Sequence, residues 1–234
     1  MRVILIPGFW LNASSWDAVS ELVASAGHRP TALTFPGMVS YDDDRSRVSL
    51  RDCVDAVVEE IDRNEEPVVL VGHSAGGAMA HAAADARPHA IARVIYVDSF
   101  PLGDGDCVND ELPVVNGEIP LPEWSAFDDA DLVDLTDELR ASFRTLAIPE
   151  PVRVATDRQV LRDPRRYDVV STIICCGFTS ERLRQWIDEG QPWVAELGAM
   201  TDVTYVDLPT GHWPQFTKPK ELAHLVLSAL GVTR

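Results

Sequence analysis

Basic residues are scarce in this 234-residue chain: 20 Lys and Arg stand against 37 Asp and Glu, a formal net charge of −17. A surface that negative repels phosphate backbones and anionic headgroups, so neither nucleic acid nor a membrane is expected as a partner. Cysteine is sparse too. Cys53, Cys107, Cys175 and Cys176 are spaced neither as a zinc site nor as a disulfide framework, and no metal is expected. Cys175 and Cys176 adjoin in an apolar run, so at most one faces a given side of a strand. All four read as buried structural thiols. No apolar stretch is long enough to span a bilayer. Met1 to Ile6 is too short for the apolar core of a signal peptide before it meets Pro7-Gly8, and the expectation is a cytoplasmic protein. The phosphate-binding signatures are missing as well. No Gly-Lys-Ser/Thr occurs, and no Gly-x-Gly-x-x-Gly follows the first apolar run.

What is present is a regular alternation. Short continuous apolar runs at Val3–Ile6, Thr31–Phe35, Val68–Val71, Val94–Val97, Val169–Cys176 and Val203–Leu208 read as strands buried on both faces of a sheet. Between them lie helical patterns. Ser14 or Ser15 caps one that carries Trp16, Val19, Leu22 and Val23. Another spans Ser49 to Arg63, a small-residue helix runs from about Gly77 to Ala86, and one follows through Leu183, Trp186 and Ile187. A loop from Pro209 to Gln215 precedes the last helix, Pro219 to Leu230. The alternation implies right-handed crossovers and a mostly parallel sheet with helices on both faces. It is interrupted once, by a Pro-, Asp- and Glu-rich insertion at 101–166. An insertion this long between core strands is usually a functional lid. The predicted organisation is therefore a core of 1–100 and 167–234 with a lid at 101–166.

Gly72-His73-Ser74-Ala75-Gly76 carries the strongest chemical signal. It follows a buried strand and opens a helix, the setting of a nucleophile elbow. The tight turn pushes the Ser74 hydroxyl out at the end of the sheet. Side chains two positions to either side would strike neighbouring backbone, so small residues stand there. A serine hydroxyl needs a base within hydrogen-bond reach. His212, in the loop Gly211-His212-Trp213 after the last strand, falls in the right order. Phe9 and Ala75 are the expected backbone donors to the oxyanion.

These motifs, together with Ile6-Pro7-Gly8-Phe9, resemble the α/β-hydrolase superfamily over nearly the whole chain. The small esterase, methylesterase and hydroxynitrile-lyase branch is the most similar. The resemblance implies an α/β-hydrolase fold, a lidded pocket and a serine esterase that needs no cofactor. It departs from the branch at the acid. The place after the strand that follows the lid reads Cys175-Cys176-Gly177-Phe178-Thr179-Ser180, with no carboxylate until Glu181. Asp98, at the end of the strand before the lid, is the preferred acid, as in some dehalogenase members of the superfamily. Glu181 and a Ser–His dyad are the alternatives. Trp10, His73, Trp124, Phe127 and Trp213 are expected around the substrate pocket.

The expected activity is hydrolysis of a small-molecule carboxylic ester or lactone through an acyl-enzyme on Ser74. The same groups serve an acyltransferase or a lyase, and a weakly catalytic ligand-binding protein is the reading from another class. A Ser rather than an Asp at the elbow disfavours dehalogenase or epoxide hydrolase chemistry.

Overall fold

A computed structural model describes residues 1–231. In chain order the core elements are β1 (Arg2–Ile6), α1 (Asp17–Ser25), β2 (Arg29–Ala32), α2 (Leu50–Asp62), β3 (Val68–His73), α3 (Ala75–Ala86) and β4 (Ile91–Val97). The insertion follows with β5 (Glu118–Ile119), α4 (Asp137–Leu146), β6 (Glu150–Pro151) and α5 (Val152–Thr156). The core resumes with β7 (Ser171–Cys175), α6 (Ser180–Asp188), α7 (Ala195–Gly198), β8 (Val203–Asp207), α8 (Pro214–Thr217) and α9 (Pro219–Gly231).

Side chains alternate across each strand and build two cores. Val3, Leu5, Val69, Val71, Ile95, Val97 and Ile174 pack with α1 and α9 on one face. Ile4, Ile6, Leu70, Val94, Tyr96 and Ile173 pack with α2, α3 and α6 on the other. Cys175 joins the second core and Cys176 the first, so the adjacent thiols face opposite sides. The six core strands run in the order β2-β1-β3-β4-β7-β8, every pair parallel. From β1 the chain winds outward to β2 and then returns to β3 on the other side. The loops after β1 and β3 therefore diverge around a crevice at the carboxyl ends of the strands, where open α/β sheets bind ligands.

The insertion is tied across its own length. Glu118 pairs with Pro151 and Ile119 with Glu150 in the antiparallel β5–β6 ladder. Arg45 reaches it from the core, donating to Glu118 at 2.9 Å. No helix among the described residues is long and apolar enough to cross a membrane.

Several local expectations need correction. Asn12, not Ser14 or Ser15, caps the turn before α1, because its side chain accepts the Ser14 N–H. Strand β2 lies earlier than the Thr31–Phe35 pattern. Thr34 instead accepts the Ala13 N–H through its hydroxyl, which draws that segment off the sheet edge. Pro214 opens the one-turn helix α8 inside the supposed loop, a position where its missing N–H costs nothing. Cys107 is only half-buried, with the Arg158 guanidinium 3.3 Å from its sulfur.

Candidate active site

Strand β3 delivers its last residue, His73, directly to Ser74, which sits in the left-handed region at φ 52°. Glycine makes that turn possible. A Cβ on Gly72 would meet the Gly76 carbonyl oxygen at 2.5 Å, and one on Gly76 would meet the Ile6 carbonyl oxygen at 2.5 Å. The end of β4 and the loop after it then hold the strained residue. Ser74 N–H donates to the Val97 carbonyl at 3.1 Å, and Ser99 Oγ donates to the Ser74 carbonyl at 2.7 Å.

His212 reaches Ser74 from the loop after β8. Ser74 Oγ lies 2.8 Å from His212 Nε2, and His212 Nδ1 lies 2.7 Å from Asp98 Oδ2. With Asp98 ionised, Nδ1 carries the proton and Nε2 is left to accept from the serine. Asp98 is itself left-handed at φ 43° and almost wholly buried. Its Oδ1 accepts the Cys176 and Gly177 N–H groups, both at 2.9 Å. The segment where the superfamily branch carries its acid thus supplies the donors that hold Asp98. Burial works to raise the Asp98 pKa, but the His212 hydrogen bond and charge and these two N–H groups carry it below the usual range. Burial likewise opposes a charge on His212, yet the bond to Asp98 and the charges of Asp98 and Asp131 raise its pKa above the ordinary value. Glu181 lies exposed in the first turn of α6, away from this chain of contacts.

Phe9 and Ala75 flank the serine. Neither main-chain N–H has an acceptor within the protein among the described residues. Ala75 is the first residue of α3, whose N–H has no intrahelical partner and sits at the positive end of the helix. Gly8 lets the Phe9 loop approach, since a Cβ there would lie 2.8 Å from His73 Nδ1 and 2.9 Å from Ser74 Cβ.

A cavity of about 520 Å³ opens at Ser74 and His212. Phe9, Trp10 and Phe127 form aromatic wall, and Glu111, Asp128 and Asp131 bring carboxylates; among the described residues no Lys or Arg lines it. A second cavity of about 210 Å³, more apolar, meets Ser74 on the side of Ala75, Ser99 and Phe100. The placing of the remaining expected pocket residues is a correction. His73 is buried at 1 % exposure, donating through Nε2 to the His212 carbonyl at 2.6 Å and accepting from Gln215 through Nδ1 at 3.1 Å. Burial, with the neighbouring His212 charge, pushes its pKa down to about 3, so it is a neutral brace under the histidine loop. Trp213 is also buried, its ring 5.2 Å from Phe143, 5.3 Å from Phe127 and 5.7 Å from Trp124. Trp124 belongs to this aromatic cluster and does not line either cavity. The cluster bonds the insertion to the histidine loop.

Two carboxylates escape sequence reasoning. Asp131 sits half-buried in the cavity wall, and burial raises its pKa. Nothing distinguishes it within Phe127-Asp128-Asp129-Ala130-Asp131. Glu150 is 3 % exposed and accepts the Trp10 N–H at 2.9 Å. Its signal was a lone charge in the apolar stretch Ile148-Pro149-Glu150-Pro151-Val152. Asp98, Asp131 and His212 are the one grouping of three possible metal ligands among the described residues, within 4.8 Å of one another. Both Asp98 oxygens are committed already, to His212 Nδ1 and to the Cys176 and Gly177 N–H groups.

A strained serine after β3, a histidine loop after β8 and an insertion over the crevice together define an enzyme-like α/β fold. Residues 3–225 match the alpha/beta hydrolase family, and the chain belongs to that family. Among curated proteins it is similar to Methylesterase 8 of Arabidopsis thaliana, 34 % identical over 102 residues that cover 42 % of this chain and 37 % of that one. It is also similar to a carbendazim hydrolyzing esterase of Nocardioides sp. (strain SG-4G), 30 % identical over 118 residues, 47 % of this chain and 46 % of that one. The matched segments span less than half the length of these relatives. A methylesterase structure from Arabidopsis superposes with a TM-score of 0.78 over 100 % of both chains at 18 % identity. An extracellular alpha/beta-hydrolase from a Paenibacillus species gives 0.77 over 98 % of both at 21 % identity. At that identity the superpositions speak for the fold alone.

Proposed function

We propose that this protein is a serine hydrolase of small carboxylic esters or lactones. The observation that carries the reading is the hydrogen-bonded chain Asp98–His212–Ser74, with steps of 2.7 and 2.8 Å, opening on the larger cavity. Ser74 Oγ attacks the ester carbonyl carbon while His212 Nε2 takes its proton. The carbonyl oxygen becomes an oxyanion between the Phe9 and Ala75 N–H groups. Collapse expels the alcohol, which takes the proton from His212 and leaves the acyl group on Ser74. Water then attacks with His212 again as base, releasing the acid and restoring the serine. Asp98 holds the imidazole tautomer and stabilises its cation.

Residues 101–166 act as the lid on a core of 1–100 and 167–234. An ester carbonyl at Ser74 faces two compartments, which separate its acyl and alkoxy parts into a larger and a smaller space. Carboxylates and aromatic rings, with no Lys or Arg among the described lining residues, favour neutral or cationic substrates over anionic ones. The methylesterases among the relatives support an ester substrate.

A fluorophosphonate probe and p-nitrophenyl acetate test this reading. The wild type should label and turn over, and Ser74→Ala should do neither. Labelling that persists in Ser74→Ala, or a wild type that never labels, rejects it.

A further inference from the structure

Trp10 adopts the left-handed region, at φ 65°. A bulky residue stays there only where its surroundings hold it. Here the lid does the holding. Glu150 on β6 accepts the Trp10 N–H at 2.9 Å. Ile148, just before β6, donates its N–H to the Trp10 carbonyl at 2.9 Å. Ile119, the β5 residue opposite Glu150, accepts the indole N–H through its carbonyl at 3.1 Å. Both peptide groups of Trp10 and its side chain are therefore bonded to the β5–β6 ladder. The Phe9–Trp10 peptide shares its α-carbon with the peptide that carries the Phe9 N–H, so fixing the first plane restricts the second.

Two of these three bonds use main-chain groups that the lid has to satisfy anyway. The third uses a buried carboxyl, which is a costly group to place in an interior. We propose that Glu150 is a positioning residue for ester hydrolysis: by holding the Trp10 N–H it keeps the Phe9 N–H aimed at the oxyanion. Docking of the lid and assembly of the oxyanion hole are then one event. The inference rests on the serine-esterase reading above.

The charge state of Glu150 supplies a readout. Burial pushes its pKa up to about 8, against the Trp10 N–H and the Arg45 charge. It is neutral below that value and becomes an anion above it. An anion behind the donor loop opposes the negative charge that develops on the substrate oxygen. The charged and titratable groups that act on it are Arg45 and Cys53 of α2. Arg45 is spent on Glu118 and on the carbonyls of Gly37, Ser40 and Tyr41. Burial raises the Cys53 thiol far enough to keep it neutral.

The test compares Glu150→Gln, which keeps an acceptor but cannot ionise, with Glu150→Ala, which has none. Fluorophosphonate labelling carried to completion counts active serines, and thermal unfolding checks the fold. Per active serine, Glu150→Ala should lose about 10- to 100-fold in kcat with KM within about twofold, as for a weakened oxyanion donor. Glu150→Gln should recover turnover to within about threefold near neutrality. It should also lack the fall in kcat that the wild type shows as pH passes about 8. Equal kcat in all three proteins sinks the inference, and so does an alkaline fall that Glu150→Gln retains. If Glu150→Ala does not fold, the pH profile of Glu150→Gln decides alone. A wild type that neither labels nor turns over overturns the esterase reading and this inference with it. A labelled, active wild type indifferent to changes at 150 overturns this inference only.

Discussion

The main-chain carbonyl of Asp131, in the insertion, accepts the main-chain N–H of His212 at 2.8 Å. Two residues on, Val133 accepts the Gly211 N–H at 3.0 Å. The histidine loop is thus bonded to the insertion, as Trp10 is. Ser74 and Asp98, by contrast, are held by core elements. In physical terms the insertion is a frame for both loops that face the serine, and its seating sets the geometry of His212 and of the Phe9–Trp10 turn together, the base and the oxyanion donor proposed above.

Gly211→Ala tests that seating. A Cβ at 211 would lie 2.7 Å from the Val133 carbonyl oxygen and 2.8 Å from the Asp131 carbonyl carbon. Both are backbone and have no rotamer to yield. The overpacking should destabilise the fold by about 1–3 kcal/mol. Displacement of His212 should lower kcat by about 10-fold or more, since small misplacements near the chemistry are costly. Thermal unfolding and turnover read the two effects. Wild-type values in both would mean that the lid does not press on this loop.

The pH profile follows from His212. Its pKa is raised by Asp98 and Asp131 in spite of burial, and only the neutral imidazole accepts the serine proton. The rate, kcat/KM, should therefore fall as pH drops through a limb above the ordinary histidine value of about 6.5. Asp98→Asn removes the partner charge, so the limb should move down in pH. Turnover at the optimum should fall by about 10⁴-fold as the tautomer is lost. A limb that stays in place in Asp98→Asn would show that the acid is elsewhere.

Apart from Ser74, His212 and Asp98, which the family resemblance put together across more than 100 positions, the parts of this molecule that were legible in its sequence are local ones. Val3–Ile6 or Val68–Val71 announces a buried strand because every side chain in a doubly covered strand is apolar. Gly72 to Gly76 announces a tight turn because its steric demands fall within five residues. Glu150 and Trp10 are 140 positions apart, and no periodicity links them. The same holds for the aromatic cluster around Trp213, which the insertion completes and which turns an expected pocket residue into core. His73 misled for a related reason. Its side chain direction depends on how closely the Gly8 loop lies over the elbow, a tertiary fact. In an Asp-rich insertion, finally, solvated and wall-forming carboxylates look alike until the chain is folded.

Asp131 gives the last expectation, a preference in substrate charge. It lies in the wall of the larger cavity with Glu111 and Asp128, beside Trp10 and Phe127, and among the described residues no Lys or Arg lines that wall. A choline ester and its uncharged carbon isostere present nearly the same shape to this wall and differ by one positive charge. The cationic ester should be favoured in kcat/KM by about 3- to 10-fold, the size of one partly solvated charge pair with some aromatic contribution. The preference should shrink in Asp131→Asn and with added salt. Burial raises the Asp131 pKa, so the carboxylate is present above that raised value and is lost as pH falls through it; the preference should weaken in the same direction. Asp131 also adds to the charge felt by His212, so Asp131→Asn will alter the absolute rates of both esters. Their ratio cancels that effect, because the same base serves both. A ratio near one in the wild type, unchanged in Asp131→Asn, would mean that these carboxylates serve solubility and that the cavity selects on shape.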